Sequence, residues 1–241
     1  MKKREKVRRV FADLHQRYGS SFREEPGTTL AKVTAETEDP FRVLISTILS
    51  QRTRDEKTEE ASRRLYAKYN TPAAIAGAPR NELSRLIRPV GFYRRKAAKI
   101  REVSRILLER YEGRVPDRYE ELVALPQVGP KTANCVLVYG YGLPAIPVDI
   151  HVSVISRRLG LAPANASDVA VERHLRRIVP KQWWVQINEL FVRFGKDVCR
   201  TNRPRCTVCH FTGFCDYYRR VRMATGVPGP LKSRPRIPSG P

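Results

Sequence analysis

The stretch Leu122-Val-Ala-Leu125-Pro-Gln-Val-Gly129-Pro-Lys131-Thr-Ala133 decides the fold, because it has the pattern of two short helices joined by a tight turn. Leu122 and Leu125, three residues apart, end the first helix. Gly129 permits close approach of the backbone in the turn, and Pro130 is typical of the first position of the next helix. The segment predicts a helix-hairpin-helix, although a plain connection between two helices would show the same local pattern.

Helix start signals recur along the rest of the chain, and the alternating pattern of β-strands does not. Asp39-Pro40 and Thr71-Pro72 each place a capping side chain before a proline, and Thr53 with Glu56 has the spacing of a capping box that opens a helix. From Tyr93 to Tyr111 the apolar residues form one stripe, with most basic residues outside it. These patterns predict an all-α fold of many short helices. Further helices are predicted from Ala78-Pro79, over 130–139, 149–159, 167–178 and 180–194, and beyond Cys215.

The composition of the 241-residue chain is strongly basic. It has 46 Lys and Arg residues against 24 Asp and Glu, a formal net charge of +22, and 41% of its residues are apolar. That apolar fraction is enough for a core, which excludes a disordered polycation. We expect a chain with this surplus to bind a polyanion, most commonly nucleic acid, although a ribosomal or an anionic membrane partner would use the same charge.

Membrane insertion and secretion are not indicated by the sequence. The longest uncharged run, Thr132 to Val148, has 17 residues and is interrupted by Gly and Pro, whereas a membrane span needs roughly 20 apolar residues. The basic N-terminus lacks the apolar region of a secretory signal. We therefore expect no membrane partner and a cytoplasmic protein.

Four of the five cysteines lie close together, with the spacing C-x6-C-x2-C-x5-C: Cys199, Cys206, Cys209 and Cys215. Cytoplasmic thiols stay reduced, so a metal site explains this group better than disulfides or four unrelated thiols. Sulfur ligands favour zinc or an iron–sulfur cluster, and the residues by themselves leave both open. The fifth cysteine, Cys135, lies among apolar residues and is expected in the core.

Three arginines, Arg200, Arg203 and Arg205, lie between the first two of these cysteines. A short loop held by a metal would be stiff, and rigidly placed guanidinium groups suit contacts with phosphates. A plain solvated loop is the alternative. We expect all three arginines to bind the polyanion.

Lys131 and Asp149 are the candidates for chemistry. Lys131 lies in the first turn of the second hairpin helix, where the helix dipole disfavours a cation and favours the free amine, a nucleophile. The helix over 130–139 covers about 15 Å. The segment 140–148, which follows that helix, can span up to roughly 30 Å, so the chain can bring Asp149 back beside Lys131. The alternative interpretation of Lys131 is a solvated surface lysine, and that of Asp149 is a helix N-cap. The capping role of Asp149 is compatible with catalysis.

These motifs resemble those of endonuclease III, a family of bifunctional DNA glycosylases in the helix-hairpin-helix superfamily. The resemblance rests on the hairpin 125–134, on Pro147-Val-Asp149-Ile-His151, on the segments 49–55 and 90–93, and on the cysteine spacing. It implies two helical lobes that flank a DNA-binding cleft, and a [4Fe-4S] cluster on the four cysteines. The implied domains are an N-terminal helix over 1–32 that joins the cluster lobe, a six-helix barrel with the hairpin over 33–143, the cluster lobe over 144–225, and a flexible basic tail over 226–241.

The resemblance also implies a reaction. Lys131 matches the lysine that attacks C1′ of the damaged nucleotide, expels the base and forms a Schiff base, after which β-elimination cuts the strand. Asp149 matches the carboxylate that assists base loss. The expected partner is double-stranded DNA with damaged pyrimidines or abasic sites, and the expected protein is a monomer that associates with the nucleoid.

A glycosylase must extrude its nucleotide and fill the gap that it leaves. The resemblance implies that Gln51 or Arg52 fills the gap, since the family's glutamine aligns one place after Gln51. Phe92 matches the family's apolar wedge, and a core phenylalanine is the alternative. The hairpin residues expected to bind DNA, together with Lys131, are Gln127, Val128 and Gly129. The family usually has Gly in place of Gln127.

Two other functions stay open. One is a monofunctional mismatch glycosylase of the same superfamily, and the presence of Lys131 argues against it because branches without this lysine are monofunctional. The other is a non-enzymatic helix-hairpin-helix module with a structural zinc, in which Lys131 only contacts phosphate.

Overall fold

The structure, a computed structural model, describes residues 2–19, 26–37 and 39–225, with side chains up to Val221. This part of the chain forms thirteen α-helices and no β-strand, which confirms the predicted all-α class. None of its helices is long and apolar enough to cross a membrane. The predicted tail over 226–241 lies outside the described residues. The helices are α1 Lys3–Tyr18, α2 Thr29–Thr37, α3 Pro40–Ser50, α4 Asp55–Tyr66, α5 Pro72–Gly77, α6 Arg80–Leu86, α7 Tyr93–Tyr111, α8 Tyr119–Val123, α9 Pro130–Cys135, α10 Ile150–Arg158, α11 Asp168–Ile178, α12 Trp184–Asp197 and α13 Asp216–Thr225.

Two predicted helix caps are confirmed. The Asp39 side chain accepts a hydrogen bond from the backbone N–H of Phe41 at 2.9 Å, at the start of α3. The Thr71 hydroxyl accepts one from the backbone N–H of Ala74 at 3.1 Å, at the start of α5. Each cap satisfies a backbone donor that has no partner inside its helix, and so sets where the helix begins.

The predicted capping box at Thr53 is wrong. Helix α4 begins at Asp55, and the residue at its cap position, Arg54, makes no capping hydrogen bond. The Thr53 hydroxyl accepts hydrogen bonds from the backbone N–H of Gly91 at 3.2 Å and from Lys96 Nζ at 3.0 Å. The Thr53 hydroxyl therefore makes long-range hydrogen bonds and not the helix cap that its local spacing predicted.

Helix α2 is an element that the sequence patterns did not indicate. Its start has a usable signal, because the Thr28 hydroxyl accepts a hydrogen bond from the backbone N–H of Ala31 at 3.1 Å. The Thr34 hydroxyl donates to the backbone oxygen of Tyr139 at 2.8 Å, which fixes α2 against the segment after α9. The helix also spans the predicted domain boundary between 32 and 33.

The buried apolar residues form two clusters. The first is built from α2 through α9, and the second joins α1 to α10 through α13. The chain passes from the first cluster to the second between Ala145 and Ile146. Lys6 of α1 donates to the backbone oxygen of Leu159 at 3.1 Å and pairs with Asp216 at 2.8 Å, which ties α1 to the second cluster. This division supports the two-lobe organisation, whose exact boundaries stay a prediction.

Candidate active site

The hairpin joins α8 to α9 through a compact turn. The backbone N–H of Leu125 donates to Leu122 at 3.1 Å, and that of Val128 donates to Leu125 at 3.1 Å. Beyond α9 the helix continues as one turn of π-helix over Val136–Gly140, so the predicted helix 130–139 is present with a wider last turn. Turns of this kind are frequent at functional sites.

The left-handed residue of the hairpin is Gln127, with φ +65°, and not Gly129, with φ −92°. A left-handed conformation costs roughly 1–2 kcal/mol for a residue with a Cβ, which accounts for the glycine that the family pattern has in place of Gln127. A Cβ added at Gly129 would meet no atom within 4 Å. The space beside Gly129 is therefore open.

Lys131 and Asp149 both lie near Cys135 of α9, since both charges affect the pKa of its thiol. Lys131 is exposed in the first turn, and Cys135 lies buried one turn later. Burial raises the pKa of the Cys135 thiol to about 11, while the Lys131 ammonium lowers this pKa and the Asp149 carboxylate raises it. Asp149 also caps α10, because its Oδ1 accepts from the backbone N–H of Val152 at 2.8 Å. Asp149 therefore occupies its predicted N-cap position, and its placement beside Lys131 stays a prediction.

Two buried asparagines hold the segment that leads to Asp149. Asn134, one turn after Lys131 on the same helix, donates to the backbone oxygen of Ile146 at 3.3 Å. Asn188 of α12 donates to the backbone oxygen of Pro147 at 3.2 Å. Sequence reasoning assigned neither a role, and the only available signal was an amide inside an apolar helix face. These bonds fix the position of Asp149 relative to α9.

The predicted gap-filling and wedge residues lie around one cavity of about 360 Å³. Gln51 Nε2 donates to the backbone oxygen of Gln127 at 2.9 Å, which joins the turn after α3 to the hairpin. Phe92 is 58% exposed, so its interpretation as a core residue is wrong. The residues that line the cavity are Gln51, Arg52, Phe92, Arg95, Lys96, Lys99 and Gln127.

Backbone strain is concentrated at the same cavity. Five residues other than glycine have positive φ in the described part of the chain, and three of them line it: Arg52 at 53°, Phe92 at 57° and Gln127 at 65°. Such conformations persist only where the surroundings hold them, and they cluster at functional sites. This is the region predicted to distort DNA.

The four clustered cysteines, Cys199, Cys206, Cys209 and Cys215, line a single cavity. All are free thiols, so the disulfide alternative is wrong. Burial, with a smaller contribution from charge on the other three sulfurs, raises the pKa of Cys209 to about 12. The raised pKa means that a thiolate is costly to form here, and a cationic group among these sulfurs would offset that cost. Thiolates are the donors that iron–sulfur clusters use. Across the described ranges, no three His, Cys, Asp or Glu side chains are grouped closely enough for a single metal ion.

The loop between the first two cysteines is held by Arg158 of α10. Its guanidinium donates to the backbone oxygens of Arg200 and Thr201, both at 2.7 Å. Arg203 is exposed, with φ +54°, and has no ion-pair partner in the described part of the protein. Arg205 pairs with the Asp197 carboxylate at 3.6 Å. The three predicted DNA contacts therefore share one loop, and in the described part of the protein the exposed side chains of Arg200 and Arg203 have no ion-pair partner.

Comparison with known proteins places this arrangement in a family. The model of the HhH-GPD superfamily of base excision DNA repair proteins matches residues 45–181. Endonuclease III of Thermotoga maritima is 50% identical over 182 residues, which are 76% of this chain and 85% of that protein. The chain belongs to the endonuclease III family.

Two solved structures of this family match the whole fold. A non-covalent endonuclease III–DNA complex is 32% identical, with a TM-score of 0.82 over 93% of this chain and 100% of that one. A trapped endonuclease III–DNA covalent intermediate is also 32% identical, with a TM-score of 0.80 over 92% and 100%. The predicted family, fold and enzyme class are confirmed, and the non-enzymatic alternative is wrong. The protein is a base-excision repair enzyme of the glycosylase and lyase type.

Proposed function

We propose that this enzyme removes oxidised pyrimidines from duplex DNA through Lys131 and then cuts the strand by β-elimination. The observation that supports this most is that Lys131 and Asp149 both lie near one buried thiol, Cys135 of α9, close to the hairpin. The trapped covalent complex of a relative supports an intermediate that joins enzyme to DNA.

The chemistry needs a nucleophile and a carboxylate. The Lys131 amine attacks C1′, the bond from C1′ to the base breaks, and the base leaves with a proton. After the sugar ring opens, the same nitrogen holds C1′ as an imine. In the β-elimination a base takes a proton from C2′ and the bond from C3′ to the 3′ phosphate oxygen breaks. Asp149 stabilises the positive charge that develops on the sugar and accepts a proton from the lysine. One of its oxygens accepts the hydrogen bond from the backbone N–H of Val152 that caps α10. Among the described residues, the other oxygen has no hydrogen-bond partner.

The proposed DNA contacts follow from the same surface. The hairpin amides of Gln127 and Gly129 face phosphate at the start of α9, where the helix dipole attracts an anion. The Val128 amide is not available for the predicted contact, because it donates to the backbone oxygen of Leu125 at 3.1 Å. Phe92 enters the base stack, and Gln51 or Arg52 fills the gap. The preference for damaged pyrimidines is part of this proposal. One chain supplies both Lys131 and Asp149, so we propose a monomer that acts on the nucleoid in the cytoplasm.

We propose that the four cysteines hold a [4Fe-4S] cluster. The thiols converge on one cavity, and a cluster there would fix the arginine loop and the start of α13. It would serve as structure and take no part in the reaction on DNA. Freshly purified protein should show a broad brown-yellow absorption band. A colourless protein with one zinc per chain would contradict the cluster and leave the reaction at Lys131 untouched.

Cys206→Ser is expected to loosen the arginine loop and weaken DNA binding. We expect faster proteolysis between Arg200 and Arg205, and a loss of affinity of about tenfold, or 1.4 kcal/mol. Limited proteolysis and DNA titration measure the two effects, and circular dichroism checks that the helices remain. Thr207→Ser, at the next position, is the matched control. Wild-type proteolysis and affinity in the cysteine variant would contradict a structural role for the bound group.

Arg203→Ala is expected to weaken binding to damaged and undamaged DNA alike. One lost phosphate contact should lower the slope of log affinity against log salt by about one. Titrations at several salt concentrations measure this slope. Arg64→Ala is the control, because Arg64 is already paired with Glu60 at 2.6 Å. An unchanged slope with lost lesion preference would place Arg203 at the lesion itself.

A panel of duplexes, each with one lesion, tests the proposed function. The panel includes thymine glycol, an abasic site, a mismatched adenine and undamaged DNA. We expect base release and strand cutting at the oxidised pyrimidine, and cutting at the abasic site. Release of the mismatched adenine without cutting would support the monofunctional alternative.

A further inference from the structure

Lys96 is a buried cation that the proposed reaction does not use. It lies on α7 with 6% of its surface exposed. Burial lowers its pKa to about 8, so the ammonium is still the main form at neutral pH. No acidic side chain pairs with it in the described ranges. A buried charge without a counter-ion costs free energy, so a role beyond packing is expected.

The acceptors of Lys96 all lie at the end of α3 and in the turn that follows. Its Nζ donates to the backbone oxygens of Leu49 and Gln51, both at 2.6 Å, and to the Thr53 hydroxyl at 3.0 Å. The last carbonyls of a helix have no partner inside it, and an ammonium with three donors can satisfy them. We call residues 51–53 the plug turn, because it contains both candidates for the gap-filling side chain.

Lys96 is joined to the segment that presents Phe92 through the backbone of α7, and through Thr53, which its side chain contacts. Its backbone N–H donates to the Phe92 oxygen at 3.0 Å, in the first turn of α7. The backbone N–H of Gly91 donates to the Thr53 hydroxyl at 3.2 Å. A Cβ at Gly91 would lie 3.3 Å from the Arg52 oxygen, so the two segments are in close contact. We call residues 91 and 92 the wedge segment.

We propose that Lys96 is a positioning residue that holds the plug turn and the wedge segment at one fixed separation, so that both enter the duplex together at an extruded nucleotide. The inference rests on the proposed function. Arg52 and Phe92 are exposed and have positive φ, a strained state that needs an internal support. The Lys96 ammonium faces protein oxygens, so it acts through these two segments and not by contact with DNA.

Lys96→Met tests the proposal, because methionine keeps the length of the side chain and removes all three donors. The substrate is a duplex with a tetrahydrofuran abasic analogue, which cannot form an imine, and with 2-aminopurine opposite it. Wild-type enzyme should raise the 2-aminopurine fluorescence as it unstacks that base. We expect the variant to bind undamaged DNA within about twofold of wild type, to lose most of the fluorescence rise, and to lose about tenfold in preference for the analogue.

Lys99→Met is the matched control for charge. Lys99 lies three residues further along α7, lines the same cavity and pairs with Glu102 at 2.8 Å. It donates to neither the plug turn nor the wedge segment. We expect its loss to weaken binding to both duplexes equally and to leave the fluorescence rise in place. Equal behaviour of the two variants would overturn the proposal and show a general charge effect.

Thr53→Val provides a second variant if Lys96→Met fails to fold. It removes the hydroxyl that both Lys96 and Gly91 use, so a smaller loss of the fluorescence rise is expected. In the double variant the two losses should not add, because both act through one contact. Wild-type fluorescence and preference in either folded single variant would overturn the proposal. A wild-type enzyme without preference for the analogue would overturn the proposed function instead.

Discussion

Lys131→Gln is expected to abolish borohydride trapping and to slow strand cutting at least about a thousandfold, because removal of a nucleophile takes away the whole covalent route. Glutamine has similar reach and stays polar, but it has no amine that can form an imine. Lys131 is exposed in the first turn of α9, so the fold should tolerate the change. The measurement is the covalent adduct between enzyme and lesion DNA after reduction, seen on a denaturing gel. Binding to the same DNA should survive.

Lys57→Gln is the matched control for this experiment. Lys57 is also an exposed lysine in the first turn of a helix, α4. The Lys57→Gln variant should form the reduced covalent adduct with lesion DNA as the wild type does. Trapping at the wild-type level in Lys131→Gln would mean that another amine is the nucleophile. The assignment of Lys131, and with it the proposed reaction, would then be wrong.

Asp149→Asn is expected to slow base release by about two to three orders of magnitude, in the range that acid–base and electrostatic groups contribute. The amide loses the negative charge that offsets the developing sugar cation. It keeps the cap on the backbone N–H of Val152, since asparagine caps as well as aspartate, so the melting temperature should change little. Cutting at a preformed abasic site should persist in part, because Lys131 remains. Base release and cutting are therefore timed separately.

Asp39→Asn separates capping from chemistry. Asp39 caps α3 through the backbone N–H of Phe41 at 2.9 Å, much as Asp149 caps α10. We expect its variant to keep wild-type rates in both steps. Base release at the wild-type rate in Asp149→Asn would leave that carboxylate with its capping role alone.

Local sequence determined the parts of the fold that depend on neighbouring residues. The hairpin follows from Leu122, Leu125 and Pro130, and the caps at Asp39 and Thr71 follow from side chains one to three residues from their donors. These contacts form within one helical turn, so their spacing in the chain is also their spacing in space. The four cysteines are close together along the chain, but a long-range contact from Arg158 holds the loop between the first two.

The sequence was least informative where a side chain had several partners to choose from. Thr53 has the spacing of a cap, but its hydroxyl accepts from Gly91 and Lys96, which lie about forty residues away. Gln127 takes the left-handed conformation that local preference assigns to glycine. In both places tertiary contacts outweigh a local preference of about 1–2 kcal/mol.

The sequence by itself determined the helical class, the basic charge, the thiol group and the identity of the two candidate catalytic residues. Only the tertiary structure decided that Lys131 and Asp149 both lie near Cys135 and that Asn134 and Asn188 hold the segment leading to Asp149. It also decided that Lys96 contacts the plug turn from the helix that follows the wedge segment. Spacing along a chain limits which residues can meet. Which of them do meet depends on how the helices pack and on which buried polar groups find partners, and neither is contained in a local pattern.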